Sequence, residues 1–555
     1  MINSPLRVHT APAKAMLYIG MVVATCCLGS KEAYTQKSRP AGIKGIKSWF
    51  VTEKTATGKI VWKDLSGNNY ELAVNKPDPQ SINFHPAMKF DGTTFSSVLS
   101  NAQLKQLTVI SAFYPAYNGL FPSSGNNNFF QLTYNDNSLY GLAFNQVSRN
   151  GLKLIDLNPN FGLPARGKDE AFRVASYYNY QLPSSTIWGE DNERKLEMKF
   201  SGYAPEMIIY SRVLTPEERS KVETYMAMKY GITQPVDYLS GTGKTLWSQS
   251  GNNGFNNRIV AIGKNEPEGL IQPRANTSYE EKNDAYTNRS DDLDRIDWEK
   301  QRSLTIGFED PKMTGLKDGQ FILWGDNNMG KEPAILMNDQ AHFPGLTRMS
   351  REWKLMNGSK IESPTKIQLS GDLLERSHKQ FDNSTVYFLV QTNPDMSSIL
   401  KIYPMNDTLA IYVQPDNVPE ESSEIVFKNF ALVTWNNITW TPDDKGACYF
   451  TIAKAPILKI ESNEMVEPIP GGNTRSADIM VSGGFPGYKY KLRREGMAGT
   501  VEGNFDPQGR TRLTGLIVNG KYSLQVFDTN ITDNARTQKV VQSFEVKNNK
   551  IKILE

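Results

Sequence analysis

The sequence predicts an all-β protein of roughly three or four domains, made of sandwiches with one well-marked helix. Three observations carry this prediction. The chain holds 42 Gly and 30 Pro, the residues that punctuate turns, together with 24 Tyr, 25 Phe and 9 Trp, the aromatics that strands favour. Its apolar runs are short and bounded by Asn, Asp, Ser and Gly. Only one stretch, 215–231, carries start, periodicity and stop signals for a long helix. At 555 residues the chain exceeds what a single core supports.

That helix is signposted at both ends. Thr215 is the expected N-cap, Pro216 the first helical residue, and Glu218 completes a capping box. Glu217 and Glu218 suit the positive end of the helix dipole. Val222, Tyr225, Met226 and Tyr230 form one apolar stripe, and Gly231 stands where a left-handed residue ends the helix. A short apolar strand, 207–210, precedes it. No reactive constellation lies in the stretch, which reads as the structural close of a domain.

The stretch 202–233 resembles the closing segment of concanavalin A-like (laminin-G-like) modules in Bacteroidetes surface proteins. Leu214, Thr215, Glu218, Arg219, Val222, Glu223, Tyr225, Ala227, Lys229, Tyr230, Gly231, Ile232 and Thr233 fall on that pattern, and Met226 replaces its usual Leu. The turn Asp64-Leu65-Ser66-Gly67-Asn68 and the string Pro86-Ala87-Met88-Lys89-Phe90-Asp91-Gly92 resemble two further signatures of the family. The resemblance implies a jelly-roll sandwich with a terminal helix over 41–233, after a linker at 31–40. Strands are expected near 107–114, 129–134 and 196–200.

From 234 to 456 the strings Asn256-Asn257-Arg258-Ile259-Val260-Ala261-Ile262-Gly263, Leu304-Thr305-Ile306-Gly307, Leu323-Trp324-Gly325-Asp326-Asn327 and Arg351-Glu352-Trp353-Lys354 follow in order. They resemble the β-rich domain of unassigned chemistry that commonly follows the sandwich. Its later strands are expected near 387–391, 411–414 and 449–453. From 457 to 555, Val481-Ser482-Gly483-Gly484-Phe485-Pro486-Gly487-Tyr488, Leu513-Thr514-Gly515-Leu516 and Gly520-Lys521-Tyr522 resemble an immunoglobulin-like repeat of gliding adhesins. A single last strand is expected within 540–554.

The start of the chain reads as an export signal over 1–30: Arg7 and Lys14, an apolar run at 16–28 too short to span a bilayer comfortably, then Gly29 and Ser30. The mature chain is expected to carry no transmembrane segment and to sit at the cell surface, in the medium or in the periplasm. Cys26 and Cys27 are candidate lipid-attachment sites giving outer-membrane association, although Val23, Ala24 and Thr25 match the lipoprotein pattern poorly. The third cysteine, Cys448, lies in a strand-like run and reads as a buried apolar residue. A lone cysteine forms no internal disulfide.

Chemistry is sparse. A formal charge of only +3 gives no field for nucleic acid. Of the histidines, His9 lies in the signal, and His85, His342 and His378 lack zinc-ligand spacing. Tyr238-Leu239-Ser240-Gly241-Thr242-Gly243-Lys244-Thr245 fails as a phosphate loop, because Tyr238 stands where the first Gly is needed, and reads as a turn. Glycoside hydrolases on this fold place carboxylates on one strand as E-x-D-x-E or E-x-D-x-x-E, and neither string occurs; Glu193, Glu197 and Glu206 have no evident partner. The expectation is therefore a non-enzymatic protein that binds a glycan or a surface protein and needs no cofactor. The alternatives are a structural component of a surface or secretion assembly, then a hydrolase. The sandwich family binds glycans through stacked aromatics and edge loops. Tyr177, Tyr178 and Tyr180, in the least strand-like aromatic cluster, are the first candidate contacts, and Asn126 and Asn127 the second. Calcium is the one ion the sequence suggests, at Asp291, Asp292, Asp294 and Asp297 in an acidic insertion otherwise read as a solvated loop. Asp407-Thr408-Leu409 resembles the O-glycosylation site of these bacteria, with Thr408 as the acceptor.

Overall fold

The computed structural model describes residues 39–54, 60–67, 71–72, 80–99, 106–115, 128–134, 137–143, 146–147, 153–154, 173–179, 194–277, 304–329, 333–336, 347–370, 385–394, 399–404, 407–409, 432–484, 487–527, 539–547 and 549–554. The chain is all-β, in several antiparallel sheets of sandwich type, with one α-helix among the described residues, the predicted α1 (Pro216–Tyr230). Thr215 and Glu218 form the capping box reciprocally, and Gly231 takes φ 60° at the other end.

The first unit is organised on the strand Arg194–Tyr210. The expected strands at 196–200 and 207–210 are one continuous element. Its first half pairs with His85–Leu99 and Asn128–Tyr134; its second half pairs with Ile46–Lys54 and Leu107–Pro115. Register shifts at Lys199/Ser201 and Tyr203/Glu206 mark where it changes partners, as bulged strands do at sheet corners. Alternation then sends Met207 and Ile209 to one face, and Ile208 and Tyr210 to the other. All four are fully buried, so both faces are covered. Phe50 stacks on Trp62, whose ring meets Phe90 edge-on, inside the first unit.

The second unit is a sandwich of two sheets. One runs Leu270–Gln272, Asn257–Asn265, Gln320–Asp326, Trp353–Met356, Ala447–Pro456, Thr347–Met349, Pro333–Leu336; the other runs Arg274–Asn276, Leu304–Phe308, Thr365–Ser370, Leu432–Ile438, Asp407–Leu409. Val260, Ile262, Ile322 and Trp324 face Leu304, Ile306, Ile367 and Trp435 in the core between them. Thr385–Thr392 and Ala447–Pro456 lie where strands near 387–391 and 449–453 are expected; 411–414 lies outside the described residues.

The alternate residues of Asn257–Asn265 decide the architecture. Ile259 and Ala261, with Phe321 and Leu323 of the next strand, join Ile208, Tyr210, Val222, Tyr225 and Tyr230 in one core that runs from Ala41 to Leu323. No break occurs at 233. α1 is therefore sheathed between two sandwiches. Instead of a single apolar stripe, Thr224 through Tyr230 is buried all round. The Thr224 hydroxyl is used as well: it accepts from Gln234 Nε2 (2.9 Å) and from the backbone N–H of Leu239 (3.0 Å), fixing the hairpin that follows.

The third unit has its own core, from Leu458 to Ile551, and the second core ends at Ile452. Its strands run Thr500–Asn504, Lys489–Arg494, Lys521–Phe527, Lys539–Lys547, Lys550–Leu554, Lys459–Pro468, Arg475–Ser482, Arg510–Leu516. In place of one last strand the tail forms a hairpin, turned at Asn549 with φ 57°. Asn takes this conformation readily, which lets the chain reverse there.

Candidate functional site

Two clusters of polar side chains are gathered by the fold. The first lies under α1. The register shift beside Glu206 turns its carboxylate onto the helix-facing side, where it is fully buried. It accepts from Trp49 Nε1 (2.5 Å), Lys229 Nζ (2.7 Å) and Tyr230 OH (2.5 Å). Lys229 also donates to Tyr225 OH at 3.0 Å, one helical turn away. Burial and the Glu206 charge push the Tyr225 and Tyr230 phenols far above their ordinary value, so both stay neutral donors. The carboxylate is held by strand, helix and ion pair at once, which makes it a weld between them.

Two side chains carry the weld into the second unit. Asn83, buried with φ 48°, donates to Lys229 O (2.9 Å) at the end of α1 and accepts from the Asn276 N–H (2.7 Å). His85 Nε2 meets Gln272 Oε1 at 2.7 Å, and Gln272 Nε2 donates to Arg274 O at 2.8 Å. That carbonyl fixes the amide orientation, so Oε1 faces the ring and His85 carries its proton on Nε2. Burial, then the Lys229 charge, lowers the His85 pKa from 6.5 to about 4. The folded protein therefore holds His85 neutral where the unfolded chain protonates it. Stability from this residue is complete above pH 6.5 and is lost as pH falls toward 4. The full loss is about 3 kcal/mol. Chemical denaturation of the His85→Gln variant between pH 7 and pH 4 should show a flatter pH dependence than the parent; an unchanged slope would remove His85 from the account.

The second cluster gathers three of the four strings quoted for 234–456. Arg258 sits at a shift in register between Asn257 and Val260, with φ 51°, and its guanidinium grips Asp326 through Nε (2.7 Å) and a second short hydrogen bond. Asn328 Oδ1 takes another of its N–H groups at 2.9 Å. Asn327 closes the adjacent corner: it accepts from the N–H groups of Met329 and Glu352, both at 3.1 Å, and donates to Ser350 O. Arg351 donates to Met329 O at 3.0 Å, and burial together with Arg258 lowers its pKa to about 10, partly offset by Asp326. Trp247 Nε1 donates to Asn256 Oδ1 at 2.9 Å. Gly325 is required because a Cβ there would lie 2.3 Å from Phe255 O. Three of the strings, those at 256–263, 323–327 and 351–354, thus meet at one end of the sheet and hold its loops to one another.

Of the sequence-predicted site residues, Tyr177, Tyr178 and Thr408 lie among the described residues. Tyr177 and Tyr178 belong to the strand Arg173–Asn179, paired on both sides, opposite Val109 and Thr108 on one neighbour and Leu154 and Lys153 on the other. The expectation of an irregular cluster is corrected for these two: seven consecutive pairings with Leu107–Pro115 hold them in a regular ladder. Thr408 lies in the edge strand Asp407–Leu409, opposite Val433. Tyr180, Asn126, Asn127, Asp291, Asp292, Asp294, Asp297, Cys26 and Cys27 lie outside the described residues, as do His9, His342, His378 and Glu193. Cys448 is buried, and desolvation pushes its thiol up to about 12, which leaves it unreactive. Of the 238–245 stretch, 240–244 is a turn between the paired strands Tyr238–Leu239 and Thr245–Trp247, with Gly243 at φ 85° and its N–H on Ser240 O. Among the described residues no group of three His, Cys, Asp or Glu side chains is placed to hold a metal. No helix among them is long and apolar enough to cross a membrane.

Glu206 and Lys229 were partners that spacing could not reveal. One signal existed: Lys229 lies four residues after Tyr225 on the apolar stripe, and Glu206 opens an apolar run.

A family model described as a domain of unknown function (DUF8202) matches residues 218–419, less than half of the chain. The match begins inside α1, the element shared by the first two units. No curated protein matches the sequence. Among solved structures, the receptor binding domain of botulinum neurotoxin D aligns over 85% of this chain and 97% of its own, at 9% identity and a TM-score of 0.22. Bacteroides uniformis beta-glucuronidase 3 aligns over 34% of this chain and 27% of its own, at 10% identity and a TM-score of 0.15. The receptor tyrosine kinase Torso aligns over 34% and 71%, at 7% identity and a TM-score of 0.13. Superpositions at these scores carry no argument about function or overall arrangement.

Proposed function

We propose that the chain is an exported cell-surface protein that binds or adheres, with a glycan or a surface protein as its ligand. The observation that carries this reading is the use to which the fold puts its buried charges. Glu206, Lys229, Arg258 and Asp326 are all engaged in fixing sheets and helix to one another. Charges spent in this way build a stiff scaffold, and stiff sandwiches suit the presentation of loops at their edges. The charged-then-apolar start at 1–30 supports export, and the resemblance of 41–233 to laminin-G-like modules supports a glycan.

The test is a glycan array probed with the purified chain, in calcium and again in chelator. Selective binding that falls at least tenfold on Tyr178→Ala is expected. Loss in chelator would bring in the carboxylates Asp291, Asp292, Asp294 and Asp297. A blank array in both buffers would overturn the glycan ligand and favour a structural component of a surface assembly.

A further inference from the structure

The outer face of the third unit is far more basic than the chain as a whole. In the strand Lys489–Arg494 the inward positions are Tyr490 and Leu492, so Lys489, Lys491 and Arg493 point outward in a line. Such alternate residues are spaced by roughly 7 Å. The neighbouring strand places Lys521 on the same face, opposite Glu545, and Lys539 lies opposite Phe527 on that face. Lys547 faces Lys550 directly across the last hairpin, and Lys552 lies opposite Glu545. The eight cations are all exposed.

Carboxylates on this face are few. Glu502 pairs with Lys491 at 2.7 Å and Glu495 approaches Lys521 at 3.9 Å. With Glu545 these are, among the described residues, three anions against eight cations, a local excess of five on a chain whose total formal charge is +3. Among the described residues no carboxylate forms an ion pair with Arg493, Lys539, Lys547, Lys550 or Lys552. The opposite sheet is different in kind: there Arg512 is engaged by Glu467 and Asp478.

Between the row on Lys489–Arg494 and the cations of the last hairpin, beside Val541, lie the polar floor residues Ser523, Gln525 and Ser543. These side chains donate and accept hydrogen bonds without charge. Strand spacing of about 4.8 Å sets the two rows roughly 14 Å apart. We propose that this face binds a linear acidic polysaccharide, with carboxylates or sulfates on the cation rows and sugar hydroxyls on the Ser/Gln floor. The spacing of charges along extended rows fits a polymer better than a compact phosphate. Phe527 is the one aromatic ring on the floor, half-buried, so the stacking platforms that single-stranded nucleic acid needs are missing. Val541, opposite Gln525, is the exposed large hydrophobic among the described residues of this face, a smaller apolar area than a membrane-inserting surface presents.

The inference rests on the surface-binding reading and deepens it, with a site separate from Tyr178. Its test uses the full chain and the triple variant Lys489→Ala/Arg493→Ala/Lys552→Ala, three exposed positions outside the core. Binding is measured to polygalacturonate and chondroitin sulfate, with neutral dextran, single-stranded DNA and anionic phospholipid vesicles as comparisons. Binding of the parent to the acidic polysaccharides but not to dextran, falling roughly tenfold or more in the triple variant and with added salt, is expected. Equal binding by parent and variant would overturn the site. Tighter binding to DNA or vesicles, lost in the same variant, would overturn the polysaccharide as partner. No binding to any polyanion would overturn the inference, while a glycan-array signal sensitive to Tyr178→Ala would leave the surface-binding reading in place.

Discussion

Replacing Lys229 with Met should destabilise the first two units together, by roughly 3–5 kcal/mol. The substitution keeps the length and apolar body of the side chain, so the helix packing survives. What is lost is the cation 2.7 Å from a carboxylate that has no solvent access. Trp49 Nε1 and Tyr230 OH still donate to Glu206, but two neutral donors do not replace a charge. Glu206→Gln should cost a similar amount by stranding Lys229. The double variant Glu206→Gln/Lys229→Met removes both charges, and is expected to recover much of the loss. Urea denaturation read at the tryptophans measures all three. Single variants within about 1 kcal/mol of the parent would show that the pair contributes little, as exposed pairs do. Because α1 shares one core with both sandwiches, the loss should appear in a transition common to both units. A loss confined to one unit would mean that the shared core does not couple them.

Asp326→Ala is expected to have the second large effect, again roughly 3–5 kcal/mol. Asp326 is the acceptor for Arg258, and it also offsets the repulsion between Arg258 and Arg351. Without it two buried guanidinium groups face each other with no anion between them. The Asn328 N–H, which donates to Asp326 at 2.8 Å, loses its acceptor as well. Trp324 and Trp353 lie next to the corner and are buried, so near-ultraviolet circular dichroism should report the loosening alongside the denaturation midpoint. An Asp326→Ala protein with unchanged midpoint and aromatic signal would mean that the corner contributes nothing to the second sandwich.

Much of the fold was legible in local chemistry. The capping box and Gly231 bounded α1, because caps answer to backbone groups within four residues. Strands with one covered face announced themselves by alternation, as in Tyr522, Leu524 and Val526. The candidate site was much less legible. Glu206 and Lys229 are 23 residues apart in sequence, and Arg258 and Asp326 are 68 apart. Such pairings depend on register and on bulges that no short pattern encodes.

The sequence by itself determined where α1 begins and ends, and it located many of the strands. Those properties follow from periodicity, side-chain shape and local hydrogen bonding. Tertiary structure alone decided what covers each buried face. The run Ile259-Val260-Ala261-Ile262 reads as a strand from sequence, yet only the packing shows Val260 and Ile262 inside one sandwich while Ile259 and Ala261 close on α1. The physical reason is that burial of apolar area is non-directional. A hydrophobic stripe specifies that it must be covered, and the partner that covers it is chosen by the fold as a whole.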